Sequence, residues 1–169
     1  MITVAEAIAW TRHETACTIH IAKRLTPEHL EFRFTPPQRS TLELLRYLAI
    51  QNQGLLGYLT TGSWDHWDGL AAKVADLGLP GFPAAMKRQQ KAVEKALTAI
   101  GDRGLKKKIT GMDGKPLVLG QALMDGILKM TVAYKMQLFL QAKAAGIADI
   151  GSSDLWRGKK AKPAKVKKA

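Results

Sequence analysis

The stretch Arg39–Leu56, RSTLELLRYLAIQNQGLL, decides the architecture. Ser40 and Glu43 stand three apart, the spacing of a capping box, in which a hydroxyl and a carboxylate each satisfy a backbone N–H of the first helical turn. Behind them Leu42, Leu45, Leu48, Leu55, Leu56 and Leu59 recur at helical spacing and predict one amphipathic helix that stops near Thr61-Gly62. Such a stripe cannot bury itself, so partner helices are required.

Three partners are legible. Thr3 and Glu6 form a second capping box, opening a helix that runs to about Leu25 and ends at the Thr26-Pro27 break. Pro27, Pro36 and Pro37 keep the connection to the next helix irregular, since each lacks a backbone donor and pushes the residue before it out of the α region. A third helix begins at Pro83 or Ala84 and ends at Gly101, burying Met86, Ala92 or Val93, Leu97 and Ile100. The fourth spans Gly120 to Ala145, closes on Gly146 and carries Leu123, Ile127, Met130, Tyr134 and Leu138 on one stripe. Between the second and third lies a long crossover, SWDHWDGLAAKVADLGLPGFP, with one or two helical turns expected over Ala71–Leu77. Before the fourth, Lys106–Thr110 and Lys115–Leu119 flank Gly111-Met112-Asp113-Gly114 and predict a small hairpin or extended loop. The expectation is an all-α four-helix bundle.

Composition sets further bounds. At 169 residues the chain can bury one sizeable core, and the reading divides it into a bundle domain over 1–157 and a Lys/Ala/Pro-rich disordered tail over 158–169. No run approaches the roughly 18 apolar residues of a membrane span, and no basic region precedes the apolar residues of the N-terminus, so a soluble, cytoplasmic protein without membrane contact is expected. The single cysteine, Cys17, excludes an intramolecular disulfide. Of the net charge of +12, half comes from Lys159, Lys160, Lys162, Lys165, Lys167 and Lys168. Such a run holds phosphate backbones without reading sequence, in a strongly salt-dependent way; the same run also serves as a solubilising terminus with no dedicated partner.

The order of parts, with Arg39-Ser40, Leu44-Leu45-x-x-Leu48 and Gln137-Leu138, resembles the DinB/YfiT-like superfamily over roughly residues 1–150. That group consists of four-helix bundles regarded as metalloenzymes, with thiol-dependent transferases and isomerases among them. The resemblance implies a divalent metal, zinc or nickel, held by three histidines, one on the second helix and two on the fourth. Matched along these motifs, the three positions hold Tyr47, Met130 and Tyr134. A thioether is a poor zinc ligand, and a phenol must first lose a proton with a pKa near 10. No metal is therefore expected at the family positions. The reading favours a binding or structural protein, a homodimer as relatives of this kind often are, over an enzyme.

Two other constellations carry chemistry. His13, Cys17 and His20 share one face of the first helix with Trp10, and with His66 they are the relocated ligands of a rival reading, a metal- or thiol-cofactor-dependent transferase or hydrolase. Asp125 or Glu43 would have to complete that set. In the crossover, Trp64, His66 and Trp67 stand beside Asp65 and Asp68, either as the lip of a pocket containing Tyr47, Met130 and Tyr134 or as a cap on the bundle end or a dimer contact. No acyl-transfer nucleophile motif, phosphate-binding glycine loop or spaced Cys/His finger occurs.

Overall fold

Both predicted capping boxes form. In the computed structural model, which describes residues 2–160, Thr3 Oγ1 accepts from the Glu6 N–H at 3.2 Å while the Glu6 carboxylate accepts from the Thr3 N–H at 2.8 Å. They open α1, Val4–Ala22. Ser40 and Glu43 do the same for α2, Thr41–Leu48. Of the tail over 158–169, Gly158, Lys159 and Lys160 fall within the described residues; Lys162, Lys165, Lys167 and Lys168 lie outside them.

The predicted second helix is two helices. After Leu48 the chain turns at Ala49-Ile50, where Ile50 adopts φ −127, and resumes as α3, Gln51–Thr61, which closes on Gly62 at φ +73. The turn leaves backbone groups without helical partners, and Gln89 from another helix supplies them. Its amide NH2 donates to the Leu48 carbonyl at 2.8 Å, and its oxygen accepts from the Asn52 N–H at 2.9 Å. A leucine stripe cannot announce such a break, because the group that stabilises it lies 37 residues further on.

The crossover contains a short α4, Trp67–Ala72, starting earlier than the expected turns. Next comes α5, Phe82–Gly104, whose backbone leaves the helical region at Gly101 (φ +65), the expected stop, and then adds one more turn. The hairpin forms from β1, Lys108–Thr110, and β2, Pro116–Val118, antiparallel with Ile109 opposite Leu117. Both of these residues pack on the core, which supports a pair of strands too short to stand alone. The last long helix is continuous from α6, Leu119–Ala122, through a π-helical stretch at Leu123–Leu128 into α7, Lys129–Ala144. It ends as predicted at Gly146 (φ +114), where the Ile147 N–H reaches back to the Ala142 carbonyl. A short α8, Ser152–Arg157, then packs back on α1.

Two apolar clusters fill the bundle. One includes Ile21, Leu44, Leu45, Met86, Leu138 and Ile150, and the other Leu55, Leu59, Val93, Leu97, Leu123 and Ile127. Between them each long helix contributes buried polar residues: Thr11, Glu14, Thr15 and Thr18 on α1, Gln51 and Asn52 on α3, Gln89 and Gln90 on α5, Thr131 and Lys135 on α7. Hydrogen bonds knit this layer together, with Thr15 donating to Gln90, Gln90 to Thr11, and Thr131 to Asn52 at 2.7 Å. Each fully buried leucine contributes about 1.5–3 kcal/mol and each neutral hydrogen bond nets about 1 kcal/mol, so the apolar storeys supply most of the stability. The layer constrains register, because sliding a helix by one turn would strand an amide among leucines.

Candidate functional site

The site lies where α2, α3, the crossover and α7 meet. Tyr47 near the end of α2 and Tyr134 on α7 touch edge to face, with ring centres 4.8 Å apart. The Arg39 guanidinium lies 4.1 Å from the Tyr47 ring centre and 5.7 Å from that of Tyr134, within cation–π range of both. Its backbone is held by Gln141, fully buried on α7, whose NH2 donates to the Arg39 carbonyl at 2.9 Å.

The crossover reaches the bundle because α3 is notched. A Cβ at Gly54 would collide with the indole ring of Trp67, and one at Gly57 with the imidazole of His66. Two glycines three apart on one helix face thus let the SWDHWD segment approach the α3 backbone. His66 Nε2–H donates to the Gly54 carbonyl at 2.9 Å, which fixes the ring against the helix. An aromatic chain results: Tyr58 stacks on Trp64 at 4.4 Å, Trp64 meets Trp67 at 5.5 Å, Trp67 meets Tyr47 at 6.0 Å, and Tyr47 meets Tyr134.

A cavity of about 660 Å³ opens on this chain. Tyr47, Trp64, Trp67 and Met130 line it, together with Leu55, Met112, Asp65 and Asp68. Tyr134 backs Tyr47 from behind, and His66 faces α3. What the sequence reading missed is the wall contributed by Leu55 and Met112, and Arg39 over Tyr47 outside this cavity. The paired glycines Gly54 and Gly57 were the available signal, since neither favours a helix interior without a packing reason.

Does this donor set suit a divalent cation? Burial, and next the neighbouring Tyr134 phenol, push the Tyr47 hydroxyl up to about 12, so it stays protonated at neutral pH. Met130 offers a thioether, and the Arg39 guanidinium places a positive charge over both tyrosine rings. Tyr47, Met130 and Tyr134 therefore do not make a donor set for a zinc or nickel ion.

The relocated candidates are each tied to other partners. His13 Nε2 lies 3.0 Å from the Trp156 carbonyl and 3.6 Å from the Cys17 sulfur. Cys17 is 1% exposed, lies against Gly158, and has its thiol pushed up chiefly by burial, which makes it an inert core thiol. His20 pairs with Asp154 at 2.8 Å. Asp125 pairs with Lys129, and Glu43 serves its cap. His66 stands apart, in the crossover against α3. Among the described residues no group of three or more His, Cys, Asp and Glu is disposed to hold a metal ion. An open hollow of about 700 Å³ beside α1 is lined by Trp10, Glu6, His13 and Glu14; Glu6 is engaged with Thr3, His13 with Trp156 and Glu14 with Lys135.

No family model matches the chain, and no curated protein does. Among solved structures it is similar to the DinB-like protein YjoA of Bacillus subtilis, at a TM-score of 0.66 and 13% identity, over 86% of this chain and 95% of that one. Among the described residues no helix is long and apolar enough to cross a membrane. By the order of its helices and by this likeness, the chain has the all-α bundle fold of the DinB-like proteins.

Proposed function

We propose that this chain is a small-molecule binding protein built on a DinB-like bundle from which the metal centre of that fold's enzymes has gone. The observation that carries the reading is the Tyr47–Tyr134 contact beneath Arg39. On this reading two phenols, a thioether nearby and a fixed positive charge stand in for the three imidazoles that the resemblance calls for. What remains beside it is a cavity with an apolar, aromatic lining and a few polar groups, the usual make-up of a ligand site.

Metal content tests this. Untagged protein exposed to zinc and to nickel, then dialysed, should retain far less than one ion per chain by elemental mass spectrometry. One tightly held ion per chain would overturn the reading, and its loss on His13→Ala would point to the rival enzyme with a relocated site. A cytoplasmic homodimer, and phosphate contacts through the lysine tail, belong to the same proposal as its expected setting. Light scattering on the eluted protein reads the first. A gel shift with and without residues 159–169 reads the second, and binding that survives the deletion would exclude the tail as its cause.

A further inference from the structure

We propose that the aromatic cavity takes an organic cation, an amine or quaternary ammonium group carried on an apolar body. This rests on the cavity being a binding site and names what it binds. The chain carries 26 Lys and Arg against 14 Asp and Glu, yet the formal charges lining this cavity are Asp65 and Asp68 alone. Neither makes an ion pair among the described residues. In so basic a molecule, a hollow lined by acids and no base selects against anions.

The aromatic geometry selects for cations. Trp64 is 42% exposed, stacked on Tyr58 through one face, and nearly perpendicular to Trp67 at 80°. Two indoles at right angles, with Tyr47 tilted beyond them, make the corner of a cage whose electron-rich faces attract an ammonium group. Met112 and Met130 add polarisable thioether surface for an apolar body. The same wall already holds a cation on its other side: Arg39 lies over Tyr47, and a separate hollow of about 240 Å³ is lined by Arg39, Arg46, Tyr47 and Trp67. Tyr47 and Trp67 thus divide an arginine side from an aspartate side, and the ligand belongs on the aspartate side.

The four tryptophans provide the readout, because Trp10 lines the other hollow and Trp156 sits on α8. The full-length protein is titrated with choline, and in parallel with its uncharged isostere in which carbon replaces the quaternary nitrogen. Indole N–H signals, assigned by single Trp→Phe variants, are followed by NMR. Choline should move Trp64 and Trp67 saturably and bind at least about fivefold more tightly than the isostere, with Trp10 and Trp156 still. The double variant Asp65→Asn/Asp68→Asn should erase most of that preference. Equal affinity of the two probes at Trp64 and Trp67 would overturn the cation assignment while leaving a ligand cavity. Absence of any shift there, or equal shifts at all four indoles, would overturn both.

Discussion

A phenol and an imidazole of similar size offer a cation different things at neutral pH: the imidazole presents a free lone pair, while the phenol of Tyr47, held at about 12 mainly by burial, presents a proton. If Tyr47, Met130 and Tyr134 occupy the three ligand positions that the resemblance implies, restoring the imidazoles should restore the site. The variant Tyr47→His/Met130→His/Tyr134→His, with Arg39→Ala to remove the charge over the rings, should bind one zinc or nickel ion per chain by calorimetry. The parent should bind none at the same concentrations. A variant that folds, by circular dichroism, yet stays metal-free would show that the three side chains do not converge. The meeting of Tyr47 with Tyr134 was legible through the family resemblance, which sets both at one site. Arg39 was not, because its place over Tyr47 depends on Gln141 holding its carbonyl across 102 residues of sequence.

At the scale of elements, legibility followed the range of the signal. The two capping boxes, the Gly146 stop and the hairpin around Gly111–Gly114 are local, and all of them form. The α2–α3 break depends on Gln89, and α8 depends on a cluster drawn from distant parts of the chain. Asp154, buried on α8, accepts from the Gly151 N–H at 2.9 Å and pairs with His20 and Arg24. Burial alone would raise its carboxyl, but these partners outweigh burial and hold it below the usual range. With a folded pKa below the unfolded value of about 3.9, the stabilisation is complete above that range and is lost as pH falls through the folded pKa. The thermal midpoint should therefore drop between about pH 5 and 3 more steeply in the parent than in Asp154→Asn, which should already be the less stable at pH 7. Parallel profiles would mean that Asp154 does not hold α8.

Across the whole molecule, the sequence predicts one core, whereas the structure has two apolar storeys separated by a polar layer. The layer was illegible because Thr, Gln, Glu and Lys at helical spacing read as a solvated face. Lys135 illustrates the difficulty: beside Tyr134 it looks like an outward cation, yet it is wholly buried, with Nζ 2.6 Å from Glu14 Oε2 and 4.6 Å from the centre of the Trp156 ring. Neither of the paired atoms has a well-directed hydrogen bond, so the desolvation of both charges is offset by their attraction and the indole face alone. Removing one partner leaves the other charge stranded in the core, at a cost of about 3–5 kcal/mol, whereas replacing both with apolar groups of similar volume is often neutral or stabilising. Lys135→Met and Glu14→Leu should each destabilise the protein by that amount in urea unfolding, while the double variant should return to within about 1 kcal/mol of the parent or exceed it. Additive losses in the double variant would instead mean that the two residues act through separate packing contacts. The layer would then owe its alignment to the Gln89, Gln90, Asn52 and Thr131 hydrogen bonds, with no share from the buried charge pair.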